Sequence, residues 1–206
     1  MSETSPQLGL RFGPLSANTL HVCVDMQRLF GEDTPWRTPW MERVLPRVTK
    51  LVDGHASQTI FTRFIPAAHP GMGRGAWARY WTRWADMTLE RLPSGMIELM
   101  PQLAGFTPPA SVVDKTVNSP WLDGALQNDL DRRGADTLIV TGCETDVCVL
   151  ATVLGSIDRG YRTIVVTDAL CSSSDETHDA SIKLYAQRYS QQVETIDTAT
   201  LLSIWR

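Results

Sequence analysis

The sequence predicts a three-layer α/β/α fold built on a six-stranded, mostly parallel β-sheet. Short β-branched runs alternate with longer stretches of helical periodicity, a pattern typical of parallel sheets covered by helices on both faces. The 206 residues suit one large domain, and neither an internal repeat nor a linker-like change of composition divides them. We therefore expect a single domain over 1–206, with an N-terminal extension over 1–17 and an insertion of loop and helix over 66–95 near the functional site.

Six short apolar runs rich in Val, Ile and Thr predict the strands. They lie at 20–24, 59–62, 111–113, 137–140, 163–166 and 193–196. The predicted helices lie between and after these runs, near 40–53, 121–133, 146–159, 177–189 and 198–205. The run from Ser172 to Asp175 offers oxygens that can cap the helix near 177–189. Gly134 and Gly160 each follow a helical stretch, as C-terminal stop signals do.

Composition and charge exclude several classes of partner. The 19 Lys and Arg residues against 23 Asp and Glu give a net charge of −4, so no electrostatic attraction to nucleic acid is expected. No apolar run approaches the roughly 20 residues that a membrane helix needs, and no basic segment followed by an apolar core opens the chain. We therefore expect a cytoplasmic protein with a small-molecule substrate and without a membrane or nucleic-acid partner.

The cysteines and histidines do not form a recognisable metal or disulfide pattern. The four cysteines are too few for a disulfide framework, and none of them forms a Cys-x-x-Cys pair. The four histidines are scattered along the chain. We expect neither a zinc site nor a cofactor.

The segment from 66 to 95 breaks the alternation of strands and helices. It opens with the glycine-rich HPGMGRG, which we interpret as a mobile loop, and continues with Trp77, Trp81 and Trp84 at helical spacing on one face. This face either packs on the core or on another subunit, or it forms an aromatic wall of a substrate pocket. We prefer the packing interpretation, although both can hold at once, and we keep Trp77 and Trp81 as candidate substrate contacts.

Polar residues that follow predicted strands are the candidates for chemistry, because parallel α/β sheets bind ligands at the carboxyl ends of their strands. Asp25 follows the first strand, Lys115 follows the third, and Cys148 opens the helix after the fourth. Asp25 can take the thiol proton and return it to a leaving amine. Lys115 and the helix N-terminus favour a thiolate at Cys148. The N–H groups of the preceding turn can form an oxyanion hole.

Each of these residue types also has an ordinary structural explanation. Acids after strands are commonly helix caps, which is our preferred interpretation of Asp146 and an open one for Asp168. Cysteines commonly fill small spaces in the core, which we accept for Cys23 and Cys171. A lysine at a strand end is commonly solvated. The residues alone leave the nucleophilic and the structural interpretations open.

Three motifs stand at these strand ends in order: VDMQRLF at 24–30, DKTVNSPW at 114–121 and TGCETDVCV at 141–149. Together they resemble the isochorismatase-like cysteine hydrolases, a family that includes nicotinamidases, N-carbamoylsarcosine amidase and ureidoacrylate and biuret amidohydrolases. The resemblance runs from about residue 18 to the C-terminus. It implies a Rossmann-type fold, in which Asp25 is the general acid and base, Lys115 stabilises charge and Cys148 is the nucleophile.

The same resemblance implies roles for the turn before the nucleophile. A cis peptide bond between Cys143 and Glu144 would turn the Glu144 N–H towards that of Cys148 and form the oxyanion hole. Thr145 would line this turn, with its hydroxyl near the substrate or at the helix cap. Arg63, in FTRF, is a candidate anchor for a substrate carboxylate or carbonyl, although a surface role is equally consistent.

The sequence also departs from parts of the family. Nicotinamidases carry an Asp-x-His motif and a further histidine after the second strand, and these residues hold a metal. The corresponding segment here, FTRFIPAAHPG, lacks the acid and the histidine pair, so we expect no metal and do not expect nicotinamide as the substrate. Members that hydrolyse the vinyl ether of isochorismate commonly lack the cysteine, so its presence favours amide or ureide hydrolysis.

The sequence thus predicts hydrolysis of a C–N bond in a small linear amide, ureide or carbamoyl compound. The reaction would pass through a cysteine thioester and release ammonia or an amine. An isochorismatase-type vinyl-ether hydrolase and a catalytically silent relative that binds small molecules are the alternatives. Because members of the family usually form dimers or tetramers, the resemblance also implies a homodimer or a homotetramer.

Overall fold

The computed structural model describes residues 10–206, in which six strands form a fully parallel sheet. The strands are β1 (Thr19–Val24), β2 (Thr59–Phe64), β3 (Ser111–Lys115), β4 (Thr137–Cys143), β5 (Arg162–Cys171) and β6 (Val193–Ile196). The predicted fold class is confirmed. The predicted extension over 1–17 falls partly on residues 1–9, which lie outside the described residues.

The strand order places β1 and β4 at the centre of the sheet. The order is β3-β2-β1-β4-β5-β6, so the chain winds outward from the central pair in both directions. In sheets of this order, the connections after the two central strands diverge and leave a crevice at the carboxyl ends. Val24 pairs with Gly142 at that end, and Gly142 has a φ of 109°. A Cβ at Gly142 would overlap the carbonyl oxygen of Val24, so only glycine permits this close approach.

Helices cover both faces of the sheet. They are α1 (Arg28–Gly31), α2 (Met41–His55), α3 (Ala76–Arg83), α4 (Pro101–Ala104), α5 (Ala125–Arg132), α6 (Cys148–Asp158), α7 (Asp175–Lys183) and α8 (Thr198–Ile204). α2 and α8 pack on one face, and α5 and α6 pack on the other. Neighbouring residues of β1 serve the two cores alternately, since Cys23 belongs to the first and Val22 to the second. In the described part of the chain, no helix is both long enough and apolar enough to span a membrane.

Several helices begin or end at residues that the sequence analysis identified as start or stop signals. Ser174 caps α7 by accepting a hydrogen bond from the Thr177 N–H at 3.4 Å, within the predicted capping run. Gly134 and Gly160 follow α5 and α6 with φ values of 64° and 81°, the left-handed conformation of a helix stop. The cap interpretation of Asp146 is wrong, because α6 has no side-chain cap and the Asp146 carboxylate instead accepts a hydrogen bond from a serine hydroxyl after β5.

Strand β5 is longer than the sequence predicts. It continues to Cys171, and a shift of register against β4 occurs between Val140 and Gly142. Asp168 therefore lies inside β5 rather than after it. Its Oδ1 accepts hydrogen bonds from the N–H and the hydroxyl of Thr198, at 2.8 and 2.7 Å. It thereby supplies an acceptor to the N–H of the first residue of α8, which has no partner within the helix.

The insertion over 66–95 contributes α3 to the crevice end of the sheet. Trp81 of α3 is 3 % exposed, and its ring lies 6.0 Å from that of Phe64, so it belongs to the core. Trp77 and Trp84, on the same side of the helix, are only partly buried. Core packing, one of the two predicted roles of this face, is therefore found at Trp81, while Trp77 and Trp84 keep part of their surface accessible.

Candidate active site

Three side chains converge at the carboxyl ends of the strands. Asp25 follows β1, Lys115 ends β3, and Cys148 is the first residue of α6. Lys115 Nζ lies 2.7 Å from Asp25 Oδ2 and 3.3 Å from Cys148 Sγ. All three residues are buried. The structure thus brings together the three residues that the sequence singled out as a set.

Asp25 is held by the neighbouring strand β2. The Thr62 hydroxyl donates a 2.6 Å hydrogen bond to Asp25 Oδ1, and the Asp25 N–H donates to the Thr62 carbonyl at 3.1 Å. Asp25 has a φ of 48°, a left-handed conformation that residues other than glycine seldom adopt. Its Oδ2 lies beside Lys115 but accepts no regular hydrogen bond from the described residues. Oδ2 is therefore the oxygen that faces the ammonium and the thiol rather than β2, and it is the one placed to accept a proton.

The surroundings of Cys148 oppose its ionisation at rest. Burial, followed by the Asp25 carboxylate, raises the pKa of the Cys148 thiol far above its ordinary value, and the Lys115 ammonium offsets this only in part. Burial by itself would lower the pKa of Lys115, but the charges of Asp25 and Cys148 outweigh it and raise that pKa. A protonated thiol therefore lies beside an ammonium. A base has to remove the thiol proton before or during an attack.

The loop between β4 and α6 leaves two backbone N–H groups free. The peptide bond between Cys143 and Glu144 is cis, as the resemblance implied. Among residues 10–206, neither the Glu144 N–H nor the Cys148 N–H donates a backbone hydrogen bond, whereas the Glu144 carbonyl accepts two, from Val147 and Val149, at 3.1 Å each. Free N–H groups beside a thiol are the donors that an oxyanion hole requires.

Gln27 links the site to the neighbouring chain segments. Its Nε2 donates hydrogen bonds to the carbonyls of Phe64 and Ile97 at 3.0 and 2.7 Å, and its Oε1 accepts from the Phe64 N–H at 2.7 Å. The Phe64 ring lies 5.0 Å from Lys115 Nζ, within cation–π distance. Gln27 therefore fixes the backbone of the residue whose ring covers the Lys115 ammonium. The sequence motif contained Gln27, but nothing in its spacing indicated this role.

A cavity of about 440 Å³ opens onto Cys148. Six aromatic side chains, which we call the aromatic wall, line it: Phe30, Trp36, Phe64, Trp77, Tyr80 and Trp84. Trp36 is central to this wall, with its ring centroid 5.8 to 6.0 Å from those of four other members. Asn118, Glu144 and Ser173 are polar residues of the lining. Within the part of the chain that the structure describes, no three His, Cys, Asp or Glu side chains are grouped as metal ligands.

The candidate substrate contacts separate into two groups. Trp77 lines the cavity, whereas Trp81 is buried behind it and does not. Arg63 does not line it either, because its guanidinium is bound to Asp114 at 2.8 and 3.0 Å and to Glu98 at 2.7 Å. The structure thus places Trp81 in the packing of α3 and Arg63 in the charge pairing of β2 with β3, and it gives no support to the substrate roles predicted for them.

Thr145 also turns away from the cavity. Its side chain is fully buried, and its hydroxyl donates to the Cys171 carbonyl at 3.1 Å and lies 2.8 Å from His178 Nδ1. It does not cap α6, contrary to one of the two roles that the resemblance implied for it, and it does not line the cavity. The residue instead joins the loop before Cys148 to β5 and α7.

Sequence reasoning missed several cavity residues. Trp36 belongs to no periodic pattern, because it lies in the loop between α1 and α2. Tyr80 is three residues after Trp77 on α3, and this helical spacing was the available signal. Phe30 and Asn118 both stand in the quoted motifs, but no sequence rule assigned them to the cavity.

The structure is that of a doubly wound α/β domain in which a buried aspartate, lysine and cysteine meet at the carboxyl ends of parallel strands. A family model described as "Isochorismatase domain" matches residues 19–198. The chain belongs to the isochorismatase family.

Relatives and solved structures agree with this placement. The chain is 29% identical over 160 residues to an uncharacterized isochorismatase family protein, YwoC, of Bacillus subtilis (strain 168), covering 74% of this chain and 80% of that protein. It is 26% identical over 123 residues to a maleamate amidohydrolase of Pseudomonas putida, covering 60% of this chain and 56% of that protein. The crystal structure of a cysteine hydrolase from Pseudomonas syringae pv. phaseolicola 1448A superposes with a TM-score of 0.76 at 23% identity, covering 90% of this chain and 91% of that one.

Proposed function

We propose that the protein hydrolyses a C–N bond of a small linear amide, ureide or carbamoyl compound, with Cys148 as the nucleophile. The observation that carries this proposal is the position of Lys115 Nζ, which contacts both Asp25 Oδ2 and Cys148 Sγ at the base of the cavity. The names of two similar proteins, a maleamate amidohydrolase and a cysteine hydrolase, support the same class of reaction.

The first half of the reaction forms a thioester. Asp25 Oδ2 takes the thiol proton, and the Cys148 sulfur bonds to the carbonyl carbon of the substrate. The N–H groups of Glu144 and Cys148 stabilise the oxyanion of the tetrahedral intermediate. When this intermediate collapses, its C–N bond breaks and the protonated Asp25 gives its proton to the leaving nitrogen. Ammonia or an amine leaves, and Lys115 remains positively charged throughout.

The second half releases the acid and restores the site. Water replaces the departed amine, and Asp25 removes one of its protons as it attacks the thioester carbon. The same two N–H groups stabilise the second oxyanion. The C–S bond then breaks, and the Cys148 sulfur recovers a proton from Asp25. One water is consumed, and a carboxylic or carbamic acid leaves the cavity.

The test is a screen for ammonia or amine release from amides, ureides and carbamoyl compounds with the wild type, Cys148→Ala and Cys148→Ser. We expect turnover by the wild type, a loss of about a thousandfold or more in both variants, and an acyl adduct on Cys148 by mass spectrometry. Cys23→Ala is a matched control, because it removes a buried thiol that does not line the cavity.

The two alternatives give different results in the same experiment. A vinyl-ether hydrolase would turn over isochorismate and retain its rate in Cys148→Ala. A silent relative would turn over neither class of compound. Full activity of Cys148→Ala on an amide would contradict the thiol mechanism.

A further inference from the structure

The cavity offers a substrate one charge, and that charge is negative. Of the described residues that line the cavity, Glu144 is the one with a charged side chain. Beneath it, the ammonium of Lys115 is matched by the carboxylate of Asp25 at 2.7 Å, so this pair carries no net charge. Arg63, the predicted anchor for a carboxylate, is bound to two acids outside the cavity. An anionic group on a substrate would therefore meet no unmatched cation at this site.

The Glu144 side chain is only partly used by the protein. Its Oε1 accepts a hydrogen bond from the Ser173 N–H at 3.0 Å, which joins the loop before Cys148 to the loop after β5. Its Oε2 accepts no hydrogen bond from the described residues. This oxygen does not belong to the buried polar atoms that lack a partner, so a ligand can reach it. One carboxylate oxygen therefore remains available to a ligand in the cavity.

The aromatic wall is suited to a cation as well as to apolar groups, because ring faces attract positive charge. Two of its members already contact cations of the protein. The Phe64 ring lies 5.0 Å from Lys115 Nζ, and the Trp84 ring lies 5.4 Å from the guanidinium carbon of Arg83, which does not line the cavity. Burial raises the pKa of the Tyr80 phenol, and nearby Cys148 and Glu144 raise it further, so Tyr80 stays neutral.

We propose that the substrate is an amide whose non-reacting end carries a positively charged nitrogen, held between the Glu144 carboxylate and the aromatic wall. This proposal rests on the amide hydrolysis proposed above. The reacting carbonyl lies at Cys148, and the cationic end lies among the rings of Trp36, Tyr80 and Trp84. A volume of about 440 Å³ accommodates a small molecule of this kind, since ligand cavities span roughly 300–1,000 Å³.

The test compares three probes of matched shape: butanamide with a terminal trimethylammonium group, its tert-butyl analogue and its sulfonate analogue. Their dissociation constants are measured by calorimetry on Cys148→Ala, which binds without turning the probes over. We expect the trimethylammonium amide to bind about tenfold more tightly than the tert-butyl amide, and the sulfonate to bind most weakly. Ammonia release by the wild type is measured with the same three compounds.

Glu144→Gln in the same background tests the proposed contact, because glutamine keeps an oxygen for the Ser173 N–H and loses the charge. We expect the preference for the ammonium over the tert-butyl probe to fall to about threefold or less, as the rings alone remain. Glu90→Gln, at an exposed acid outside the cavity, should leave the preference unchanged. The proposal is overturned if the tert-butyl or sulfonate probe binds best, or if none of them binds. Cation-selective binding without release of ammonia from any amide would instead contradict the proposed hydrolysis.

Discussion

Thr62 donates a 2.6 Å hydrogen bond from its hydroxyl to Oδ1 of Asp25, while Oδ2 of the same carboxylate faces Lys115. The two oxygens of the proposed base are therefore unequal, because one accepts a hydrogen bond from β2 and the other is paired with the ammonium beside Cys148. Thr62 is a positioning residue in this arrangement, since it touches the base but does not line the cavity.

We predict that Thr62→Val lowers kcat by about 10- to 100-fold, because it removes a hydrogen bond to a charged group that is worth roughly 1.5–3 kcal/mol. KM should change little. Thr62→Ser keeps the hydroxyl and should retain most of the rate. If the Val variant keeps the wild-type kcat, or if only its KM rises, the hydrogen bond from Thr62 does not position the Asp25 carboxylate for the reaction.

Alkylation of Cys148 reports its ionisation directly. Because burial and the Asp25 carboxylate raise the pKa of the thiol, its reaction with iodoacetamide should be slow at pH 7 and should accelerate as the pH rises. Asp25→Asn removes the negative charge, so its thiolate forms at lower pH. We expect this variant to lose amide hydrolysis and yet to be alkylated faster than the wild type at pH 7, because one of the causes that raise the pKa of the thiol is gone. If the variant is alkylated at the same rate or more slowly, the Asp25 carboxylate does not oppose ionisation of the Cys148 thiol.

Gly142 permits the close approach of β4 to β1 at the end of the sheet that carries Asp25. We predict that Gly142→Ala lowers the free energy of unfolding by on the order of 3 kcal/mol, because alanine would stand at positive φ and overlap the Val24 carbonyl. Gly54→Ala is the matched control, since Gly54 is exposed within α2 with open space around it. That change should stabilise the protein by up to about 1 kcal/mol. Urea unfolding measures both, and similar effects at the two sites would contradict the prediction.

Asp197 caps the C-terminal helix. Its carboxylate accepts hydrogen bonds from the N–H and the hydroxyl of Thr200, both at 2.8 Å, and these bonds lower the pKa of Asp197. Asp197→Ala should cost about 0.5–2 kcal/mol near neutral pH, and Asp197→Asn should retain most of the stability. Because the pKa is lower in the folded state, the advantage of Asp over Ala is present above the unfolded pKa and is lost as the pH falls through the folded value. Urea unfolding at neutral and at acidic pH measures this difference, and a constant difference would contradict the assignment.

The fold was predictable because strand positions depend on short local patterns. Each apolar run became a strand, and Gly134 and Gly160 ended the helices that they followed. The strand order and the extension of β5 beyond Asp168 were not predictable, since both depend on contacts between distant segments. The sequence of β1, for example, does not indicate that this strand pairs with β4 rather than with β3.

The three proposed reacting groups were predictable for a different reason from the cavity. Asp25, Lys115 and Cys148 stand at strand ends, where topology alone brings side chains together. Arg63 stands at a strand end as well, but its outcome was decided by Asp114, which pairs with it across β2 and β3. The direction of a side chain and the partner that occupies it are set by tertiary packing. This is also why Trp81 and Trp77 of one helical face have different surroundings.

The chemistry and the cavity of this protein are supplied by separate parts of the chain. The three proposed reacting groups belong to the carboxyl ends of β1 and β3 and to the helix that follows β4, whereas most of the aromatic wall comes from the segment between β1 and α2 and from the insertion over 66–95. Mutations can therefore accumulate in one part while selection holds the other constant. A new substrate preference can therefore arise from changes in the segments that carry the aromatic wall, while the strand ends that carry Asp25 and Lys115 stay as they are.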